Sequence, residues 1–153
     1  MPKNQTIERA RRDAREGKSA STQAGEFVRE EIEEIRAGKQ GARSAKQAIA
    51  IGLSKARRAG VKLAPPKPGK ASEATRLKAQ RDLEKAHSGK KPSAKRSQAT
   101  LKALKRESSA AASPEALSQQ TRTAARKRTA AARSASAKKA ARTREINSGG
   151  IKE

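Results

Sequence analysis

The residues with the clearest chemistry in this chain are cations. Arg122, Arg126, Lys127, Arg128, Arg133, Lys138, Lys139, Arg142 and Arg144 are interleaved with Ala, Ser and Thr, and no acid falls between them. Guanidinium and ammonium groups pair with phosphate oxygens, and neighbouring hydroxyls can add hydrogen bonds to the same oxygens. Lys90, Lys91, Lys95, Arg96, Lys102, Lys105 and Arg106 extend the series upstream. The plainer use of such a run is a solvated surface that keeps a chain in solution. With a net +16 over residues 64–153, nucleic acid is the favoured partner.

Which nucleic acid is narrowed by what is missing. Single-strand binders and common RNA modules stack bases on aromatic rings. Here Phe27 is the only aromatic, and its place on an apolar helical face points to core packing. Sequence-tolerant binding to duplex DNA through backbone charge is expected, ahead of structured RNA. The loop Gly38-Lys39-Gln40-Gly41-Ala42-Arg43-Ser44 is a weaker signal. A basic Gly-rich loop before a helix start can hold a phosphate on free N–H groups, although most such loops are turns.

Little else in the chain carries chemistry. Glu30, Glu31, Glu33 and Glu34 have no His or Cys nearby and read as a solvated acidic face, one able to pair with the basic half and restrain non-specific binding. His87 is the sole histidine and sits at a predicted helix end, where the C-terminal dipole accounts for it. There is no Cys, which excludes disulfides and thiolate metal sites. No enzyme activity, metal or cofactor is expected.

The elements that must carry these residues are set by composition. Only 33% of residues are hydrophobic and the net charge is +23, so a large globular core is not expected. Nine large apolar residues fall within residues 26–63, and the whole stretch after residue 63 has seven. Two helices are predicted in the apolar part. The first runs from about Ser21 or Thr22 to Gly38, with Ala24, Phe27, Val28, Ile32 and Ile35 on one face. The second starts at a Ser44–Gln47 capping box and stops at Gly60. Ala48, Gly52, Ala56 and Ala59 form a small-residue stripe on it that admits a close neighbour.

The fold class expected is therefore all-α: a short helical hairpin over residues 21–63, a Pro-rich linker over 64–71, and long, weakly packed or partly disordered basic helices over 72–153. Residues 1–20 are expected as a frayed helical segment supported by i,i+4 ion pairs. Helices are predicted from Ser72 to about Ala86 and from Ser93 to about Ser108. After Ser113-Pro114-Glu115, no Pro or Gly interrupts the chain up to Ile146. A hairpin of this size is near the lower limit for independent folding, so self-association through it, or packing on a partner, is expected to stabilise it.

Residues 45–60, Ala45-Lys46-Gln47-Ala48-Ile49-Ala50-Ile51-Gly52-Leu53-Ser54-Lys55-Ala56-Arg57-Arg58-Ala59-Gly60, resemble the signature of a family of short basic proteobacterial proteins of unknown function, whose members read KQAIAIALSEARRAG here. This chain departs from that signature at Gly52, commonly Ala, and at Lys55, commonly Glu. The stretch from Lys95 to Arg144 resembles the tails of some of those proteins, and histone H1-like tails by composition. The resemblance implies a bacterial, cytoplasmic protein and transfers no activity.

Two functions are expected to compete. One is a nucleoid-associated, histone-like protein whose tail neutralises duplex phosphates. The other is an adaptor whose hairpin docks on a protein, the tail serving solubility or loose anchoring. Membrane binding is not expected, because the basic stretches carry Ala where a surface helix needs Trp, Phe or Leu.

Overall fold

Helix starts and stops in this chain are written in single residues. The computed structural model describes residues 2–88 and 93–149, with side chains described through residue 146. It comprises α1 (Asn4–Arg15), α2 (Ala20–Arg36), α3 (Ala45–Arg58), α4 (Glu73–Ser88), α5 (Ala94–Leu104), a 3-10 turn (Ser109–Ala112), α6 (Pro114–Arg126) and α7 (Ala130–Gly149). Among the described residues there is no strand, and the class is all-α. Backbone contacts divide the chain into two units, Met1–Ala116 and Leu117–Glu153.

The end of α3 shows how a stop works. Gly60 takes a left-handed φ of 96°. Its N–H donates to the Arg57 carbonyl at 3.0 Å, and the N–H of Val61 reaches back to Ala56 at 3.1 Å. These two bonds satisfy carbonyls that the helix leaves open, and Val61 turns inward to join the core. The same pair of bonds ends α2, from Gly38 to Ile35 and from Lys39 to Glu34. At the other end, the Ser44 hydroxyl accepts from the Gln47 N–H at 3.2 Å. Gln47 Oε1 accepts from the N–H of Arg43 at 2.8 Å, one residue outside the box expected from sequence. Ser19 caps α2, so that helix begins earlier than Ser21 or Thr22.

The strongest packing joins α2 and α3. Ala48, Gly52 and Ala56 are buried along the predicted small-residue stripe, while Ala59 is exposed beyond the end of the helix. Gly52 is needed for this approach. A Cβ there would lie 2.6 Å from Val28 Cα, closer than real contacts allow. Phe27 is 1% exposed, among Ala10, Ala24, Ala56 and Val61, with Ile7, Ala20, Leu53 and Leu63 packed around them.

The first correction concerns α1. In place of a frayed, solvated segment, it is a helix packed on α2, with Thr6, Ala10 and Asp13 buried. Small side chains let the two helices come together where no run of large apolar residues announces a contact. Arg9 pairs with Glu26 of α2 at 2.5 Å, and the Lys3 N–H donates to Glu30 Oε1 at 2.8 Å. Of the expected i,i+4 pairs only Arg12–Glu16 forms among the described residues, at 3.9 Å.

The second correction concerns the acidic face. Glu30 and Glu31 are 1% and 0% exposed, Glu34 is half-buried, and only Glu33 is solvated. Lys55 of α3 enters this site, its Nζ 2.6 Å from Glu31 Oε2 and 3.0 Å from Glu34 Oε2. Glu31 Oε1 accepts from Gln40 Nε2 at 2.6 Å. Burial pushes the Glu31 carboxyl above its usual range, against the hydrogen bond and charge of Lys55 that hold it down. Burial also works to lower the Lys55 ammonium, but its bonds to Glu31 and Glu34 outweigh that and leave it raised. The partners of Glu30, Glu31, Glu33 and Glu34 thus all lie within residues 3–55.

The third correction concerns α4, beyond the Pro-rich stretch. It packs on α3 instead of leading directly into loosely packed helices. Asp82 is 2% exposed, taking Ser54 Oγ at 2.6 Å and Arg58 Nε at 2.8 Å. The linker itself is held from both sides: Arg57 Nη2 donates to Ala64 O at 3.4 Å, and Arg76 Nε to Pro66 O at 3.2 Å. Residues 104–112 then return to the α2–α3 loop. Gly41 N–H donates to Leu104 O at 2.9 Å, Ala42 N–H to Ser108 O at 3.1 Å, and Arg36 Nε to Ala112 O at 2.8 Å.

Candidate nucleic-acid interface

The basic series is carried on α5, α6 and α7. Ser113 caps α6 through the Ala116 N–H at 3.1 Å, with Pro114 in the first turn and Glu115 beside the positive end. The helix does not run unbroken to Ile146. It stops at Arg126 and restarts at Ala130. Thr129 is the cause on the sequence side, because its hydroxyl competes for backbone N–H groups and accepts from Ala132 at 3.2 Å as the cap of α7. Arg128 closes the same corner, its Nη2 donating to the Ala132 carbonyl at 2.9 Å and also to Ser136 Oγ.

Arg122, Arg126, Lys127, Arg128, Arg133, Lys138, Lys139, Arg142 and Arg144 are all exposed. Among the described residues none of the nine takes part in an ion pair. In the first unit Arg9, Lys18, Arg29, Lys55, Arg58 and Arg76 are each matched to a carboxylate, while others, such as Arg11, Arg15, Lys39 and Lys62, are exposed and take part in no ion pair among the described residues. At about 100° per residue, Arg133 and Arg144 share one side of α7, and Lys138, Lys139 and Arg142 occupy the opposite side. Arg122 and Arg126, four apart, share a face of α6. The cations thus form edges on more than one side of the helices.

Lys95, Arg96 and Lys102 lie on α5 and Lys105 and Arg106 just beyond it, all exposed. Lys90 and Lys91 lie outside the described residues. Four of the hydroxyls are turned to their own helix. Thr121, Thr123, Ser136 and Thr143 donate to the carbonyls of Leu117, Gln119, Ala132 and Lys139, at 2.8–3.1 Å. The hydrogens of these four hydroxyls are already used, whereas Ser118 on α6 and Ser134 on α7 are exposed.

The loop of residues 38–44 is corrected likewise. Gly41 and Ala42 are buried and their N–H groups are taken by Leu104 and Ser108, while that of Arg43 is taken by Gln47. No free row of N–H groups remains to cradle a phosphate. Among the described residues there is no cluster of His, Cys, Asp or Glu fit to hold a metal ion, and no helix long and apolar enough to cross a membrane.

Residues 3–68 match a family model described as a family of unknown function (DUF6496). The matched stretch takes in α1, α2, α3 and most of the Pro-rich linker, including residues 45–60, and it stops short of the basic helices. No curated protein and no solved structure matches the chain.

Proposed function

We propose that this protein binds nucleic acid, duplex DNA ahead of structured RNA, through phosphate contacts spread over α5–α7, as a nucleoid-associated, histone-like protein of the bacterial cytoplasm. The observation that carries the proposal is the set of nine exposed cations on and between α6 and α7, unmatched by any acid among the described residues. No acid lies between Arg122 and Arg144, so this stretch has no carboxylate within it to answer its cations. Close-set cations repel one another, and a phosphate backbone relieves that repulsion. Cations on opposite sides of one helix suit a duplex, whose two backbones flank a groove about 12 Å wide, enough for a helix. The near absence of aromatics argues against a stacking platform for single strands.

The adaptor alternative has less to stand on. Part of the hairpin's surface, including apolar face it would offer to a partner, is covered by α1, α4 and residues 104–112 of the same chain. The deciding experiment is the affinity of the full chain for random duplex DNA across a salt titration. The expected result is a linear fall of log K with log salt, at a slope of roughly −6 to −10. Absent or salt-independent binding would return the series to a solvated surface.

A further inference from the structure

Two stretches far apart in sequence meet where residues 104–112 cross the α2–α3 loop. The crossing is tight: besides the backbone bonds from Gly41 and Ala42, a Cβ on Gly41 would run into the Glu107 carbonyl. The bonds that remove the loop's N–H groups also join the backbone between Lys39 and Arg43 to the backbone on either side of Lys105 and Arg106. Lys39 and Arg43 stand exposed on the loop, Lys105 and Arg106 on the crossing segment. Glu107 is the carboxylate that answers them, at 3.6 Å from Arg43, whose side chain remains 83% exposed. An exposed pair at that distance contributes little, so the patch keeps most of its positive charge.

We propose that Lys39, Arg43, Lys105 and Arg106 form a second phosphate-binding surface, built on the first unit and engaging the same nucleic acid as the tail helices. This rests on the nucleic-acid function proposed above and adds to it a folded site whose loop residues that function does not require. The backbone beneath these cations is already held by hydrogen bonds, so contact with phosphate costs less ordering here than along a solvated helix. Two linked contact surfaces also raise apparent affinity beyond either alone, through effective concentration.

The test uses the full chain. K39Q/R43Q/K105Q/R106Q is compared with R11Q/R15Q/K62Q/K67Q, which removes equal charge from positions of the same unit outside the crossing. Duplex affinity is titrated across salt, and circular dichroism verifies helix content. The expected result is a slope shallower by roughly 2 to 4 in the cluster variant, at about 0.9 per phosphate contact, with a clearly smaller change in the control. K39E/R43E, which alters only the loop, is expected to lose roughly 2 in slope. An unchanged slope in K39E/R43E, or equal slopes for cluster and control variants, with the parent chain still binding, would overturn the second surface and leave the tail interface standing. No binding by the parent chain would overturn both.

Discussion

Replacing Lys55 with Met removes the cation that faces two carboxylates. In a medium of effective dielectric about 20, the 2.6 and 3.0 Å contacts to Glu31 and Glu34 are each worth about 5–6 kcal/mol in gross Coulomb energy. Most of that offsets the cost of taking the charges out of water, so the intact network adds little net stability. Removing one partner is a different matter. Glu31 is fully buried and would keep only Gln40 as a donor. A stranded buried charge costs about 3–5 kcal/mol.

Glu31 has one escape, which is to take a proton, and that sets the pH dependence. Its native pKa lies above the ordinary value because of burial, so the native state binds the proton more tightly than the unfolded chain does. The stability this confers is fully present below about 4.5 and is lost as pH rises through the raised native value. Without Lys55 that native value rises further. K55M is therefore expected to lose about 3 kcal/mol near pH 8 and markedly less near pH 5, read by urea unfolding at the helical circular dichroism band. E31Q/K55M should recover much of the loss, since no charge is then stranded. A deficit below about 0.5 kcal/mol, or one equal at both pH values, would refute the account and reduce the network to a surface pair.

Two further substitutions test the packing. G52A raises helix propensity by roughly 1 kcal/mol, yet it places a methyl 2.6 Å from Val28 Cα; the expected net effect is a loss of about 1–2 kcal/mol in thermal or urea unfolding, and a stabilised variant would show that α2 and α3 have room to separate. D82A removes the acceptor of Ser54 and Arg58, and is expected to cost about 2 kcal/mol and to speed hydrogen exchange across α4 before α2; uniform exchange would mean that α4 is held by other contacts.

Much of the local structure was legible in the chain. Phe27 and Ile35 fall on the apolar face that the helical period assigns them, and Ser44 and Gly60 mark the ends of α3 by chemistry confined to a few neighbouring residues. Such signals are short-range, which is why they can be read without the fold. The exposure of the tail cations was legible for a related reason, since a stretch with almost no large apolar residue has nothing to bury them with.

The misreadings share one cause. Thr6, Ala10 and Asp13 look like surface residues until a second helix arrives, and small side chains give no periodic warning that it will. Glu30 and Glu31 look solvated because a buried acid is costly, and the Lys55 that compensates Glu31 lies on another helix. Lys55 is also one of the two departures from the signature that residues 45–60 resemble. The other, Gly52, belongs to the small-residue stripe legible in the sequence, and its missing side chain is what admits Val28 of α2.

By itself, then, the sequence determined the all-helical class, the end of α2 at Gly38, both ends of α3, and the separation of an apolar region from an exposed cationic one. Those depend on backbone chemistry over a few residues and on bulk composition. Tertiary structure alone decided that α1 and α4 pack on the hairpin, that Glu31 and Glu34 meet Lys55, and that residues 104–112 cross the loop carrying Lys39 and Arg43. Each of these depends on the desolvation of one residue by another that is distant along the chain, and no local pattern contains that information.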